Sequence, residues 1–185
     1  MIESFASASD LRAWLELHAD ESEGFWLKIY KKGSETATVS YAEALDEALC
    51  FGWIDGQKQR HDEVSWRQRF TPRRPKSGWS KINTRHAERL IKAGQMKAAG
   101  QAQIDAAKKD GRWAAAYDSS RNATFPEDFL AAVRRNKKTN AFFESLSKTN
   151  RYAIAYRLQT AKKPETKQRR MEAILAMLAS GETFH

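Results

Sequence analysis

The sequence predicts an α+β fold, in which a small N-terminal sheet with a hairpin is packed by helices and followed by a C-terminal helical bundle. Bulky residues alternate over residues 25–30, polar residues alternate after residue 57, and helical spacing dominates from residue 126 onward. We interpret the 185 residues as one compact unit with two subregions. Residues 1–115 form an α+β region with a central basic hairpin and loop, and residues 116–185 form the helical region.

The first elements are a short strand over residues 2–5 and a helix near residues 10–18, with Ser9 as its expected N-cap. Residues 25–30 are expected to form a central strand, because bulky side chains occupy both of its faces. The residues that indicate the first helix by their helical spacing are Leu11, Trp14 and Leu15.

A second helix follows Ser40, which forms a capping box with Glu43, and it ends near Gly52. Beyond it, residues 57–61 and 64–70 are expected to pair as a β-hairpin around a turn at Asp62-Glu63. Pro72 and Pro75 follow the hairpin. Because proline lacks the N–H that both a strand ladder and a helix need, residues 71–78 are predicted to form a restrained loop.

The remaining elements are helical. Ser80 is expected to cap a helix that bears Ile82, Leu90 and Ile91 and ends at Gly94. A short helix ends at Gly111, and the C-terminal bundle follows. Phe125 and Phe129 are expected to form a hydrophobic staple around a helix that starts at Pro126. Pro164 starts the last helix, whose apolar stripe consists of Met171, Ile174, Leu175 and Leu178.

Charge is distributed unevenly along the chain. Residues 1–56 hold 4 Lys/Arg against 11 Asp/Glu, whereas residues 57–92 hold 11 against 3, within a chain of formal net charge +9. This asymmetry is typical of a surface that faces an anion. The alternative is an ordinary solvated face.

The composition excludes several classes of protein. No stretch approaches the roughly 18 apolar residues of a membrane span, and no export signal begins the chain, so we expect a cytoplasmic protein. A single cysteine forbids an internal disulfide, and four scattered histidines give no zinc-ligand spacing. We therefore predict no metal and no cofactor.

The central segment, residues 66–83, combines cations, aromatic rings and prolines. Arginine suits phosphate and carboxylate, aromatic rings stack on bases, and the open N–H groups at the Ser80 helix start favour an anion. We predict that its five cations share one surface with an anion site: Arg67, Arg69, Arg73, Arg74 and Lys76. The alternative is that the aromatic residues are core and the arginines pair with the acidic first 56 residues.

Four other residues are candidates for chemistry. Asp55 is interpreted as a turn residue or an arginine partner rather than a general base. Cys50 continues an apolar helix face and is interpreted as structural rather than nucleophilic. His61 and His86 have no fixed carboxylate spacing, which disfavours catalysis. The basic segment 162–170, before the last helix, is interpreted as a solvated surface.

Four segments resemble the YdeI/OmpD-associated family in order and spacing: residues 41–56 (YAEALDEALCFGWIDG), 69–83 (RFTPRRPKSGWSKIN), 90–100 and 161–170 (AKKPETKQRR). The resemblance covers nearly the whole chain. It implies a bacterial, cytoplasmic protein, linked by name to outer-membrane protein expression and to protection against bacteriocins or antimicrobial peptides. It implies no reaction, so no catalytic residue is carried over. The motif positions that become candidate ligand-binding residues are Asp55, Arg69, Arg73, Arg74, Lys76, Trp79 and Asn83.

The leading hypothesis is a non-enzymatic stress or envelope-protection factor that binds an anionic partner through the central segment. The partner classes are nucleic acid, a phosphate-bearing molecule or an acidic protein surface. The rival is an enzyme that holds a small anionic substrate with the same arginines and uses Asp55 or a histidine as acid or base. A third hypothesis is an interaction module that docks onto other proteins.

Overall fold

A four-stranded sheet lies in the N-terminal half of the chain and most helices lie in the C-terminal half, which confirms the predicted α+β class. The computed structural model describes residues 1–120 and 122–185. The chain divides into two compact units. The first comprises Met1–Ser77 and Asn83–Trp113, and the second comprises Gly78–Ile82 and Ala114–His185.

The sheet belongs to the first unit and has the strand order β1-β2-β4-β3. Strand β4 is antiparallel to both of its neighbours, and β1 runs parallel to β2. Phe25–Tyr30 is therefore an interior strand, as expected from its two bulky faces. The strand bounds are β1 Ile2–Glu3, β2 Phe25–Tyr30, β3 Trp53–Arg60 and β4 Ser65–Pro72.

The hairpin extends further from its turn than predicted, in both strands. Strand β3 begins at Trp53 rather than at residue 57, and Pro72 pairs with Trp53 instead of opening a loop. Pairing of β4 with β2 ends at Phe70, so Pro72 joins the ladder on one side only and its missing N–H is tolerated. The turn lies where expected, with Asp62 accepting a hydrogen bond from the Ser65 hydroxyl at 2.6 Å.

The helices of the first unit begin at local caps. The capping box of Ser40 and Glu43 is confirmed at the start of α2. The N-cap of α1 is Ser7 rather than Ser9, because Ser7 and Asp10 form a reciprocal capping box two residues earlier. The bounds are α1 Ala8–His18, α2 Tyr41–Cys50, α3 Lys81–Lys92, of which Asn83 onward belongs to this unit, and α4 Ala98–Lys109.

The core of the first unit is rich in aromatic side chains centred on Phe25. Its ring lies 4.7 Å from that of Trp14, 5.9 Å from that of Trp53 and 6.0 Å from that of Phe70, measured between centroids. Burial of such large apolar surfaces stabilises the packing of helices on the sheet. Other buried core residues are Leu11, Leu15, Leu27, Ile29, Leu45 and Leu49.

The buried face of α3 is partly polar. Ile82 and Ile91 are 42% and 37% exposed, so Leu90 is the one buried residue of the three apolar residues that indicated this helix. The buried positions are Asn83, Thr84, Ala87 and Leu90, which follow the spacing i, i+1, i+4, i+7. Two of these four buried positions are therefore polar.

The second unit contains four further helices around its own apolar core. Phe125 stacks on Phe129 at 5.9 Å, and proline occupies the start of the last helix, as the sequence predicted. The bounds are α5 Glu127–Arg134, α6 Lys137–Ser145, α7 Lys148–Gln159 and α8 Pro164–Ala179. The core residues are Phe129, Val133, Phe143, Ile154, Leu158, Ile174 and Leu178.

Asp118 is the buried carboxylate that joins separate segments of the second unit. Its oxygens accept hydrogen bonds from Lys81 Nζ at 2.7 Å, Thr124 Oγ1 at 2.7 Å and Gln159 Nε2 at 2.9 Å. Burial acts to raise the pKa of Asp118, but the hydrogen bonds from Lys81, Thr124 and Gln159 outweigh it and lower the pKa to about 2. The ionised carboxylate therefore stabilises the folded state.

We expect acid to destabilise the protein partly through Asp118. A carboxyl group whose pKa is lowered by folding stabilises the protein fully above its ordinary pKa, and this stabilisation is lost as pH falls toward about 2. Urea unfolding at a series of pH values should show a steeper acid loss for the native sequence than for Asp118→Asn. The exposed-charge control Asp20→Asn should keep the native slope. Equal slopes for the Asp118 variant and the native sequence would contradict the assignment.

Gly100 lies where α4 packs closely against the end of α2. A Cβ atom at this position would lie 2.6 Å from the Leu49 carbonyl oxygen and closer still to that of Cys50. Backbone atoms do not yield as a flexible side chain does, so the position accepts only glycine without movement of a helix.

We therefore expect Gly100→Ala to lower the free energy of unfolding by about 1–3 kcal/mol, the usual cost of overpacking. Helix propensity alone predicts the opposite sign, a gain of about 1 kcal/mol. Urea unfolding distinguishes the two. Ala102→Gly, at an exposed position of the same helix, calibrates the propensity effect and should be destabilising by about 1 kcal/mol.

Candidate functional site

Two strands that are distant in sequence, β2 and β3, terminate at the same end of the first unit's sheet. Both β2 and β3 are antiparallel to β4, so Tyr30 lies opposite Ser65 and Arg60 lies opposite Trp66. A cleft of about 500 Å³ opens at this end, which we call the hairpin cleft. It is lined by Tyr30, Lys31, Lys32, Lys58, Gln59, Arg60, Ser65 and Trp66.

The hairpin cleft is strongly cationic. Lys31, Lys32, Lys58 and Arg60 are exposed, and within the described residues none of the four lies within ion-pair distance of a carboxylate. Like charges at close range repel one another in the absence of an anion. The cleft therefore has the charge distribution of an anion site.

Asp62, an acidic residue of the hairpin turn, is bonded to Ser65 and Lys28. Hydrogen bonds from Ser65 and Lys28 and from the backbone N–H groups of Val64 and Ser65 lower the pKa of Asp62 to about 2. Its carboxylate also forms an ion pair with Lys28 at 3.3 Å. Asp62 thus neutralises Lys28 and leaves the cations of the cleft uncompensated.

Aromatic rings are interleaved with these cations. The Lys58 ammonium lies 4.2 Å from the centroid of the Trp66 ring, and Tyr41 packs against the same ring at 6.2 Å. Cation–π contact fixes the ammonium over the ring and keeps its N–H donors available. The arrangement can hold a phosphate beside a flat, apolar surface.

The outer face of the sheet, opposite the buried Phe25 and Phe70, continues this pattern. Lys28 pairs with Arg67 and Trp26 pairs with Arg69 across the β2–β4 ladder. The Arg67 guanidinium lies 4.8 Å from the centroid of the Trp26 ring, and its Nε and Nη2 donate to Gln59 Oε1 at 3.0 and 2.8 Å. Stacking and hydrogen bonding therefore hold Arg67 in one orientation.

The cations predicted from the central segment separate into two environments. Arg67 and Arg69 lie on the outer face, where Arg69 Nη2 donates to the Glu23 carbonyl oxygen at 3.4 Å. Arg74 and Lys76 are exposed in the loop that follows β4, and Lys76 has a positive φ of 67°. Their role in ligand binding stays a prediction.

Three of the predicted site residues are buried. Arg73 is 5% exposed and its Nη1 donates to Ser77 Oγ at 3.3 Å, so it does not join an exposed cationic surface. Trp79 is 2% exposed and offers no open ring face for stacking. Asn83 lies on the buried face of α3. The core alternative that the sequence left open therefore applies to Trp79.

Asp55 occupies neither of its expected environments. It lies in strand β3 rather than in a turn, and it accepts a hydrogen bond from the Tyr41 hydroxyl at 2.8 Å rather than from an arginine. Burial and this bond raise the pKa of Tyr41. The pair fixes the start of α2 to β3, next to the ring of Trp66.

The sequence did not indicate the partner of His86. His86 Nδ1 lies 2.7 Å from Asp46 Oδ1, and Arg89 forms an ion pair with the same carboxylate. His61 is exposed, 3.9 Å from Asp62. Within the described part of the chain, no group of three or more His, Cys, Asp or Glu residues lies close enough to hold a metal ion.

The basic segment 162–170 is partly engaged within the second unit. Lys167 forms an ion pair with Asp128 at 2.9 Å, and Arg170 donates to the Arg157 carbonyl oxygen at 2.7 Å. Lys162 and Lys163 are exposed. Among the described helices, none is long and apolar enough to cross a membrane.

The first unit is an α+β domain whose sheet carries a cationic, aromatic-lined cleft. Residues 3–103 match the family described as Domain of unknown function (DUF8412), and the chain belongs to this family. Residues 122–181 match the family described as Bacteriocin-protection, YdeI or OmpD-Associated. No curated protein and no solved structure matches the chain.

The second match confirms the predicted resemblance to the YdeI/OmpD-associated family over part of the chain. Of the four segments that suggested it, residues 161–170 lie within this match. Residues 41–56, 69–83 and 90–100 lie within the stretch that matches the other family.

We expect Cys50 to react slowly with thiol reagents at neutral pH. The residue is 1% exposed, and burial raises the pKa of its thiol, which lowers the reactive thiolate fraction. Alkylation followed by mass spectrometry should be much slower for native protein than for protein in denaturant. Cys50→Ala should cost about 1 kcal/mol of packing. Fast native alkylation would contradict a structural role.

Proposed function

We propose that this protein is a non-enzymatic, cytoplasmic binding protein whose hairpin cleft takes a phosphate-bearing polyanion, with single-stranded nucleic acid as the best match. The observation that carries the proposal is the group of four exposed cations without carboxylate partners around Tyr30 and Trp66. Phosphate oxygens would relieve the repulsion among these cations, and the rings would receive bases.

The outer face supports a ligand longer than a single phosphate. Gln59 lines the cleft and also bonds Arg67, which stacks on Trp26. Cations and aromatic rings thus also occupy the outer face of β2 and β4, on the side of the sheet opposite Trp66. A sheet face of this composition suits an extended strand, whose charged backbone follows the cations while its bases stack on the rings.

Binding, rather than catalysis, is the role that the cleft supports best. Its lining consists of cations, two aromatic rings, an amide and a hydroxyl. These groups hold and orient an anion. The rival enzyme hypothesis assigned proton transfer to Asp55 or a histidine, and neither is among the described residues that line the cleft.

The family matched by residues 122–181 is described by bacteriocin protection, and we propose a stress or envelope-protection role for this chain. The cationic cleft would repel a cationic peptide rather than capture it. The protective effect would therefore be indirect, acting through the anion that the cleft binds.

We expect affinity for a single-stranded oligonucleotide to fall steeply with salt, because each neutralised phosphate releases condensed counterions. The double variant Lys58→Ala, Arg60→Ala should weaken binding and flatten the slope of log affinity against log salt concentration by about 1.4, roughly 0.7 for each lost contact. Fluorescence anisotropy at several salt concentrations measures both quantities.

The matched control is Lys162→Ala, Lys163→Ala, which removes the same charge from exposed positions of the second unit. This control should keep the native slope. If both double variants change the slope equally, net charge rather than the cleft is responsible. Absence of binding by the native protein at about 50 mM salt would exclude nucleic acid as the ligand.

A further inference from the structure

The second unit contains a larger cleft that the proposed function does not use. It has a volume of about 700 Å³, within the range typical of small-molecule sites. It lies along α7 and α8 and reaches Phe184, and we call it the C-terminal cleft. It is lined by Tyr156, Arg157, Thr160, Arg170, Ala173, Ile174, Met177 and Phe184.

Two arginines lie at one part of this cleft. Arg170 Nη1 donates to the Arg157 carbonyl oxygen at 2.7 Å and lies 3.3 Å from Thr160 Oγ1. Arg157 Nη1 donates to the Ala153 carbonyl oxygen at 3.2 Å. Within the described residues neither guanidinium has a carboxylate at ion-pair distance, so their charges are compensated only by neutral acceptors.

The orientation of Arg157 leaves its hydrogen-bonding edges available. Its guanidinium lies over the Phe184 ring, 3.7 Å from the centroid. Stacking uses the face of the guanidinium, whereas its five N–H donors lie in the plane. An oxyanion can therefore bind the edge without breaking the stack.

The remaining lining is mostly apolar. Ala173, Ile174 and Met177 follow one another along α8, and Phe184 faces Arg157. Methionine is flexible and adapts to ligands of different shape. An apolar strip next to two arginines favours a molecule with one charged end and one apolar end.

The wall formed by Phe184 is held in place by the residue that follows it. His185 N donates to Asn150 Oδ1 at 3.1 Å, and Asn150 Nδ2 donates to the His185 carbonyl oxygen at 3.2 Å. This reciprocal pair ties the segment to α7. The cleft is thus formed before a ligand arrives, which lowers the entropic cost of binding.

We infer that the C-terminal cleft binds a small amphipathic carboxylate, an unbranched acyl chain with its carboxylate on Arg157 and Arg170 and its chain along α8. A planar carboxylate matches the bidentate donor geometry of a guanidinium. The inference is independent of the hairpin cleft, because all of its residues belong to the second unit.

Isothermal titration of the full chain with decanoate, below its micelle concentration, tests the inference, with 1-decanol as the uncharged match. Decanoate should bind at least about tenfold more tightly, since charge-assisted hydrogen bonds are roughly twice as strong as neutral ones. Arg170→Gln should weaken decanoate binding by about tenfold and leave decanol binding unchanged. Arg170→Lys should retain part of the preference.

The matched control is Arg169→Gln, which removes a neighbouring exposed cation that does not line the cleft and should bind decanoate as the native protein does. Ala173→Trp, at an exposed cleft position, should block both probes by filling the space. Circular dichroism establishes that each variant is folded.

Several outcomes would overturn the inference. They are no decanoate binding by the native protein, equal affinity for decanoate and decanol, or unchanged binding in folded Ala173→Trp. Equal losses in the Arg169 and Arg170 variants would also overturn it, because they would show general charge attraction. Oligonucleotide binding should be unaffected by these cleft variants, so failure here leaves the test of the hairpin cleft intact.

Discussion

The antiparallel pairing of β4 with β2 on one side and β3 on the other is the interaction on which the first unit depends. It buries Phe25 and Phe70 on one face, where α1 and α2 complete the core. It also brings Tyr30 and Arg60 to the same end of the sheet. A shift of one residue in either ladder would exchange the two faces. The core and the hairpin cleft therefore require the same register.

The distribution of carboxylates decides which cations remain available for a ligand. Asp62 forms an ion pair with Lys28, and Asp118 forms one with Lys81. Asp46 contacts both His86 and Arg89. Among the described cations without such partners, six line two clefts, one in each unit. A net charge of +9 is thus less informative than the positions at which the acidic side chains are already engaged.

Patterns between near neighbours in sequence were predicted well. The capping box of Ser40, the turn at Asp62 and the burial of Cys50 were all found, because their partners lie within a few residues or on one helix face. The sequence left open whether Trp79 is core and did not single out Arg73 as buried, since a run of cations and rings in sequence does not indicate which members face the core. Lys31, Lys32, Lys58 and Arg60 were missed. In the sequence, these cations are marked only by their positions near the ends of β2 and β3. The sequence did not show that these two strands flank the same third strand.

The sequence by itself determined the α+β class, the interior position of β2, the local caps and the excess of positive charge in the central part of the chain. These properties follow from periodicity, side-chain propensity and charge, which act over short distances along the chain. The tertiary structure alone decided which cations meet, that Asp55 bonds Tyr41, and that two arginines lie beside the apolar strip of α8. Such contacts join residues through strand register and helix packing, whose energies depend on partners far away in the sequence.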